Sequence, residues 1–203
     1  MIHYMSLCGV FKPTAQQRYE EQKKYQKGTE RENMGGNART TEFLKECLSD
    51  SLIKLMKTKS VDQITVSEIA QMASVGRTTY FRNFKAKNEL ISFKLIKLWE
   101  RWAEQNELEI RNDFSLTNSS AFFFFNYSIR ELLVLIYQRE RQSALYDAFQ
   151  TVLYPKHDAD PAACYKGKFY AYALFGLLDE WIQRGFLESP EEMIRISGSI
   201  SIR

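Results

Sequence analysis

Two short stretches of helical spacing, separated by only three residues, constrain this chain more than any other feature. Thr65-Val66-Ser67-Glu68 has the arrangement of a capping box. The threonine hydroxyl and the glutamate carboxylate can each satisfy a backbone N–H that a helix start leaves without an acceptor. Ile64 and Ile69 occupy the hydrophobic-staple positions around it. The spacing predicts a helix to about Ala73, a turn at Ser74-Val75-Gly76, and a second short helix over residues 77–84. Lys85-Ala86-Lys87 breaks the pattern, and a long helix is predicted from Asn88 to Asn112. Upstream, Leu44, Leu48, Leu52 and Leu55 recur at steps of four, four and three, with Cys47 and Met56 widening the stripe. That predicts an amphipathic helix from Arg39, ended by residues 57–62.

No five-residue alternating segment occurs, so the expected fold class is all-α. Further helices are predicted around Phe122–Phe125, over 130–139 and over 143–153, followed by an acidic, proline-containing loop at 154–163. A last long helix spans 165–184, with Phe169, Ala173, Leu177 and Trp181 at steps of four and Gly185 as its C-cap. Ser189 and Pro190 then open a final helix as cap and first residue.

Several classes are excluded at this stage. The longest uncharged run, residues 114–129, is 16 residues long and carries Thr117, Asn118, Ser119, Ser120 and Asn126, too short and too polar to span a bilayer. The first eleven residues lack the pattern of a secretory signal. Cys8, Cys47 and Cys164 are widely spaced and odd in number, giving neither a disulfide framework nor a metal pattern. A cytoplasmic chain with reduced thiols and no metal or cofactor is therefore expected. His3 and His157, the only histidines, stand near no nucleophile, and no phosphate-cradling glycine loop occurs, so no enzymatic activity is expected.

The net charge of +3 is unevenly spread. Residues 1–38 carry six basic and four acidic side chains, net +2. Residues 39–97 carry eleven and six, net +5, and residues 98–203 carry eleven and fifteen, net −4. A compact basic segment before an acidic one suits contact between the first and a polyanion. Residues 12–39 are polar and almost free of aliphatic side chains, which predicts a flexible arm over 1–38. Either that arm belongs to the protein or translation starts at Met34, which follows Glu30-Arg31-Glu32; N-terminal sequencing decides between them.

Two short helices across a tight turn, braced by an amphipathic helix, form a helix-turn-helix, whose second helix enters the major groove. Ile69, Ala73, Val75, Tyr80 and Phe84 fall where the helices must pack, and Arg77, Thr78, Phe81 and Arg82 fall on the opposite face. The run from Ile64 to Leu90, including the Phe84-x-x-Lys87-x-x-Leu90 tail, resembles the DNA-binding signature of the TetR family of transcriptional regulators. The resemblance implies a DNA-binding domain over 39–88 and a helical dimerisation and effector domain over 89–203. By the same resemblance, Arg77, Thr78 and Phe81 would face bases, and an arginine there can pair with guanine O6 and N7. Thr65, Thr79, Arg82, Asn83 and Lys87 would meet phosphates. Two positions depart from the family: Phe81 stands for the usual tyrosine and Gly76 for the usual capping serine. Residues 181–193 resemble the C-terminal region of one TetR subgroup, which implies a homodimer through Phe169, Ala173, Leu177, Trp181 and Met193.

The expected function is thus a homodimeric repressor on a palindromic DNA operator, released by a small-molecule effector. Trp99, Trp102, Phe122, Phe125, Tyr137, Tyr146 and Tyr170 are the candidate effector wall. The alternative is an adaptor of the same fold that works through a protein partner with little direct DNA binding.

Overall fold

The computed structural model describes residues 36–108, 116–153 and 161–200. Among these residues the chain is helical with no strand, so it is all-α as its spacing predicts. In chain order the helices are α1 Gly36–Met56, α2 Val66–Ala73, α3 Arg77–Asn83, α4 Lys87–Gln105, α5 Leu116–Ser128, α6 Arg130–Gln138, α7 Gln142–Leu153, α8 Pro161–Gln183 and α9 Pro190–Ser199. The chain divides into two units, Met1–Thr40 and Thr41–Arg203. Gly36 and Asn37, expected in the arm, begin α1 instead. A glycine costs little in a first turn, where half the backbone groups have no helical partner anyway. Residues 1–35 of the predicted arm, Met34 included, lie outside the described residues.

The second unit has a continuous hydrophobic core. Leu48, Leu52 and Met56 on α1 join Ile64, Ile69, Tyr80, Leu90 and Leu95, and the cluster continues through Phe123, Leu133, Ile136, Leu145, Leu178 and Trp181. The α1 leucine stripe therefore does what its spacing predicts, and each large side chain it buries is worth roughly 1.5–3 kcal/mol.

Local chemistry sets most of the boundaries. Thr65 and Glu68 form the capping box of α2. Ser74 then adopts a left-handed conformation, φ 55°, which lets the Val75 N–H reach the Ala70 oxygen at 2.9 Å and closes α2. Phe84, in extended conformation, ends α3. The fourth helix stops at Gln105, well short of the expected Asn112. Asn106 donates from its side chain to the Trp102 oxygen at 2.7 Å, and Glu107 turns left-handed, φ 52°. That pair closes the helix as a C-terminal cap does.

Residues 120–128 of α5 and helix α6 meet at 71° across Ile129. Here Asn126 donates to the Phe122 oxygen at 2.7 Å and Ser128 to the Phe125 oxygen at 2.6 Å. Such back-bonding side chains compete for the carbonyls that would carry the helix onward. Pro161, expected in a loop, opens α8, since a proline at the first helical position loses no needed N–H. The remainder of that loop, residues 154–160, lies outside the described residues. Gly185, φ 71°, follows the end of α8, and Ser189 with Glu192 builds a second capping box for α9.

Candidate functional site

The α2–turn–α3 segment sorts its side chains cleanly into two faces. Tyr80 and Phe84 are buried in the core, with Ala73 and Val75 packed against it. Arg77, Thr78, Phe81 and Arg82 are all exposed. Phe81 is 67% exposed, its ring edge-on to Tyr80 at 5.3 Å. The Arg77 Nη1 donates to Ser67 Oγ at 3.2 Å, which draws the guanidinium toward the start of α2. A cation and the positive end of a helix dipole thus share one edge of the molecule.

The five residues expected to meet phosphate are used differently from one another. Thr65 Oγ1 accepts from the Glu68 N–H at 3.2 Å and donates its only proton to Glu68 Oε2 at 2.9 Å. The same carboxylate accepts from the Thr65 N–H at 2.8 Å and from Lys59 Nζ at 2.5 Å. The Lys59 hydrogen bond first, then those of Thr65, lower the Glu68 pKa to about 2. Thr65, expected to meet a phosphate, is here the cap of α2 with its hydroxyl engaged by Glu68. The Asn83 side chain donates to the Thr79 oxygen of its own helix at 2.7 Å, and both residues are half-buried.

Lys87 is engaged within the protein. Its ammonium donates to the main-chain oxygens of Val61 at 2.6 Å and Ile64 at 2.7 Å, with Asp62 O at 3.5 Å. All three ammonium protons have carbonyls to reach, so the side chain braces the α1–α2 connection from beneath. A phosphate contact would have to break that brace. Of the five, Thr65 and Arg82 are exposed.

Three basic residues that spacing does not single out hold the same connection. Arg139, just after α6, donates from Nε to the Met56 oxygen at 2.6 Å and from Nη2 to the Lys57 oxygen at 3.2 Å. These carbonyls end α1, where cations are favoured. Arg141 pairs with Asp62, and Lys59 anchors the Glu68 cap. At the start of α4, Asn88 donates to Ser143 Oγ at 3.0 Å and Ser92 to the Ala144 oxygen at 2.7 Å. The α6–α7 corner therefore grips both the α1–α2 connection and α4.

The expected dimer face separates. Phe169 is 49% exposed and Ala173 is exposed, whereas Leu177 is half-buried. Trp181 is only 1% exposed, packed on Phe186, Tyr127 and Phe123, with its Nε1 donating to the Glu188 oxygen at 3.0 Å. Met193 is buried as well. Trp181 and Met193 are thus core residues of one chain and have no surface to give a partner. The reason is geometric: a step of four residues overshoots one turn by about 40°, so three steps carry Trp181 about 120° around from Phe169. The exposed stripe on α8 is instead Tyr165, Phe169, Tyr172 and Gly176, at steps of four, three and four.

The seven candidate effector residues fall into distinct places. Trp99 and Trp102 stack at 5.9 Å, and Phe125 packs on both. Phe122 and Tyr146 are connected through Phe149 and Phe175. The Tyr137 hydroxyl donates to Asp179 Oδ1 at 2.5 Å; burial and that carboxylate push its pKa up. Tyr170 is exposed, edge-on to Phe169, and so lies off any buried wall.

Among the described residues, no group of three or more histidine, cysteine, aspartate or glutamate side chains could hold a metal ion. No single helix among them is long and apolar enough to cross a membrane. Comparison with known proteins gives no match to a family model and none to a curated protein sequence.

Proposed function

We propose that this chain is a sequence-specific DNA-binding transcriptional regulator of the TetR type, working as a homodimeric repressor that a small molecule releases. The observation that carries the reading is the outer face of α3, where Arg77, Thr78, Phe81 and Arg82 are exposed while Tyr80 and Phe84 are buried behind them. Together with α2 and the left-handed Ser74, this supports reading the segment as a helix-turn-helix, whose second helix would read base edges. The +5 balance of residues 39–97 supplies attraction to phosphate that needs no sequence.

Homodimerisation is supported by the aromatic stripe on α8 that begins at Tyr165 and Phe169, and two-fold symmetry would double the contacts on a palindrome. Trp99, Trp102 and Phe125 are the strongest part of an effector site, because Trp99 Nε1 is buried with no acceptor among the described residues. A ligand that bound the released state about 10⁴-fold more tightly would switch the population almost completely.

Selection of bound sequences from random duplex DNA tests the reading. It is expected to return a palindrome with half-sites about 34–36 Å apart or a multiple of that. Failure to enrich any sequence at low salt would sink it. The adaptor reading is favoured by a specific observation, that Lys87 and the Thr65 hydroxyl are occupied within the protein. A gel-shift assay on the DNA upstream of its own gene, at two salt concentrations, separates the two.

A further inference from the structure

On the exposed face of α3, Phe81 is out of place by ordinary folding logic. Two-thirds of its surface is open, yet an aromatic ring is among the costliest side chains to leave in water. Its neighbour Tyr80 already fills the core position of this turn, so the Phe81 ring does no packing work that the fold requires. Within one turn of it stand three exposed side chains, Arg77, Thr78 and Arg82. The result is an apolar tip set in a cationic surround.

Such a surface fits a polyanion that carries an apolar feature among its charges. The major groove of duplex DNA has one such feature, the C5-methyl group of thymine; every other base edge there presents hydrogen-bond donors or acceptors. Phenylalanine, which can neither donate nor accept, gains from contact with that methyl and loses against a polar edge.

We propose that Phe81 is a specificity-determining residue that reads the thymine methyl group at one position of each half-site. The inference rests on the DNA-binding reading and adds to it which chemical group this side chain recognises. Arg77 and Arg82 supply attraction to the duplex, and Phe81 converts a methyl group into affinity.

The test uses the full chain and the best duplex from the random-sequence selection, with each thymidine replaced in turn by deoxyuridine. That change removes the methyl group and leaves base pairing intact. At one thymine per half-site, uracil is expected to weaken wild-type binding about fourfold, the worth of one buried methyl-sized group. Phe81→Ala should bind the thymine and uracil duplexes equally, and Phe81→Leu should keep part of the difference. Circular dichroism checks that both variants fold, as an exposed position allows. The proposal is overturned if wild type binds but tolerates uracil everywhere, or if Phe81→Ala discriminates as well as wild type. A wild type that binds no duplex at low salt removes the DNA-binding reading itself, and does so before any thymine is replaced.

Discussion

The Lys87 ammonium lies 2.6 Å from the main-chain oxygen of Val61, a residue 26 positions earlier in the chain. The bond joins the first turn of α4 to the connection between α1 and α2, and Ile64 O lies on the same nitrogen. A lysine at a helix start is opposed by the helix dipole, so the position is favoured by those carbonyls and not by its own helix. Lys87→Met, which keeps the apolar stem, is expected to lower stability by about 1.5–3 kcal/mol, the range for hydrogen bonds to a charged group. Urea denaturation measures it. A variant as stable as wild type, with one fewer ion released on DNA binding, would restore the phosphate role.

Arg77 has a different expected signature, because its guanidinium is held at the surface by Ser67 and not beneath it. Arg77→Ala should leave the melting temperature nearly unchanged. It should cost about 1–3 kcal/mol on the selected site and relax base choice at one position. Equal losses on selected and random duplex would remove its base-reading role.

The Glu68 cap predicts a pH dependence. Its folded pKa of about 2 lies below the ordinary value of 4.5. A carboxylate whose pKa is lowered by folding contributes stability above its unfolded pKa, and that contribution fades as pH falls toward the folded one. The melting temperature of wild type should therefore exceed that of Glu68→Gln at pH 7, with the gap closing between about pH 4.5 and 2. A gap that stays constant across that window would mean the charge plays no part in the cap.

Gly185 ends α8 with φ 71°, and no atom lies within 4 Å of where a Cβ would be added. Any effect of Gly185→Ala is thus conformational, not steric. The expected loss is about 1 kcal/mol, the order of the cost of a left-handed conformation for a residue with a side chain. Thermal melts of the two proteins decide it.

Phe169 and Trp181 should part company when mutated. Trp181→Ala empties a core site and is expected to cost about 3–5 kcal/mol. Phe169→Glu places a charge on the exposed α8 stripe, so under the proposed homodimer it should shift the mass measured by light scattering from dimer to monomer with the fold retained. A Phe169→Glu chain that remains a dimer would locate self-association elsewhere.

The sequence by itself determined the helical class, the capping box at Thr65, the serine cap at Ser189, the turn at Ser74 and the glycine stop at Gly185. Each depends on residues within four positions of one another, where backbone geometry leaves few alternatives. It also separated Tyr80 and Phe84 from Arg77, Thr78, Phe81 and Arg82, because on a helix of two turns the phase error is small. Over the longer α8 the same reasoning misplaced Trp181, since a four-residue step drifts away from the true turn of 3.6 residues. Tertiary structure alone decided what Lys87, Arg139 and Arg141 do. The partners described above lie 23 to 83 residues away, and a basic side chain looks the same in sequence whether it ends in water or on a buried carbonyl.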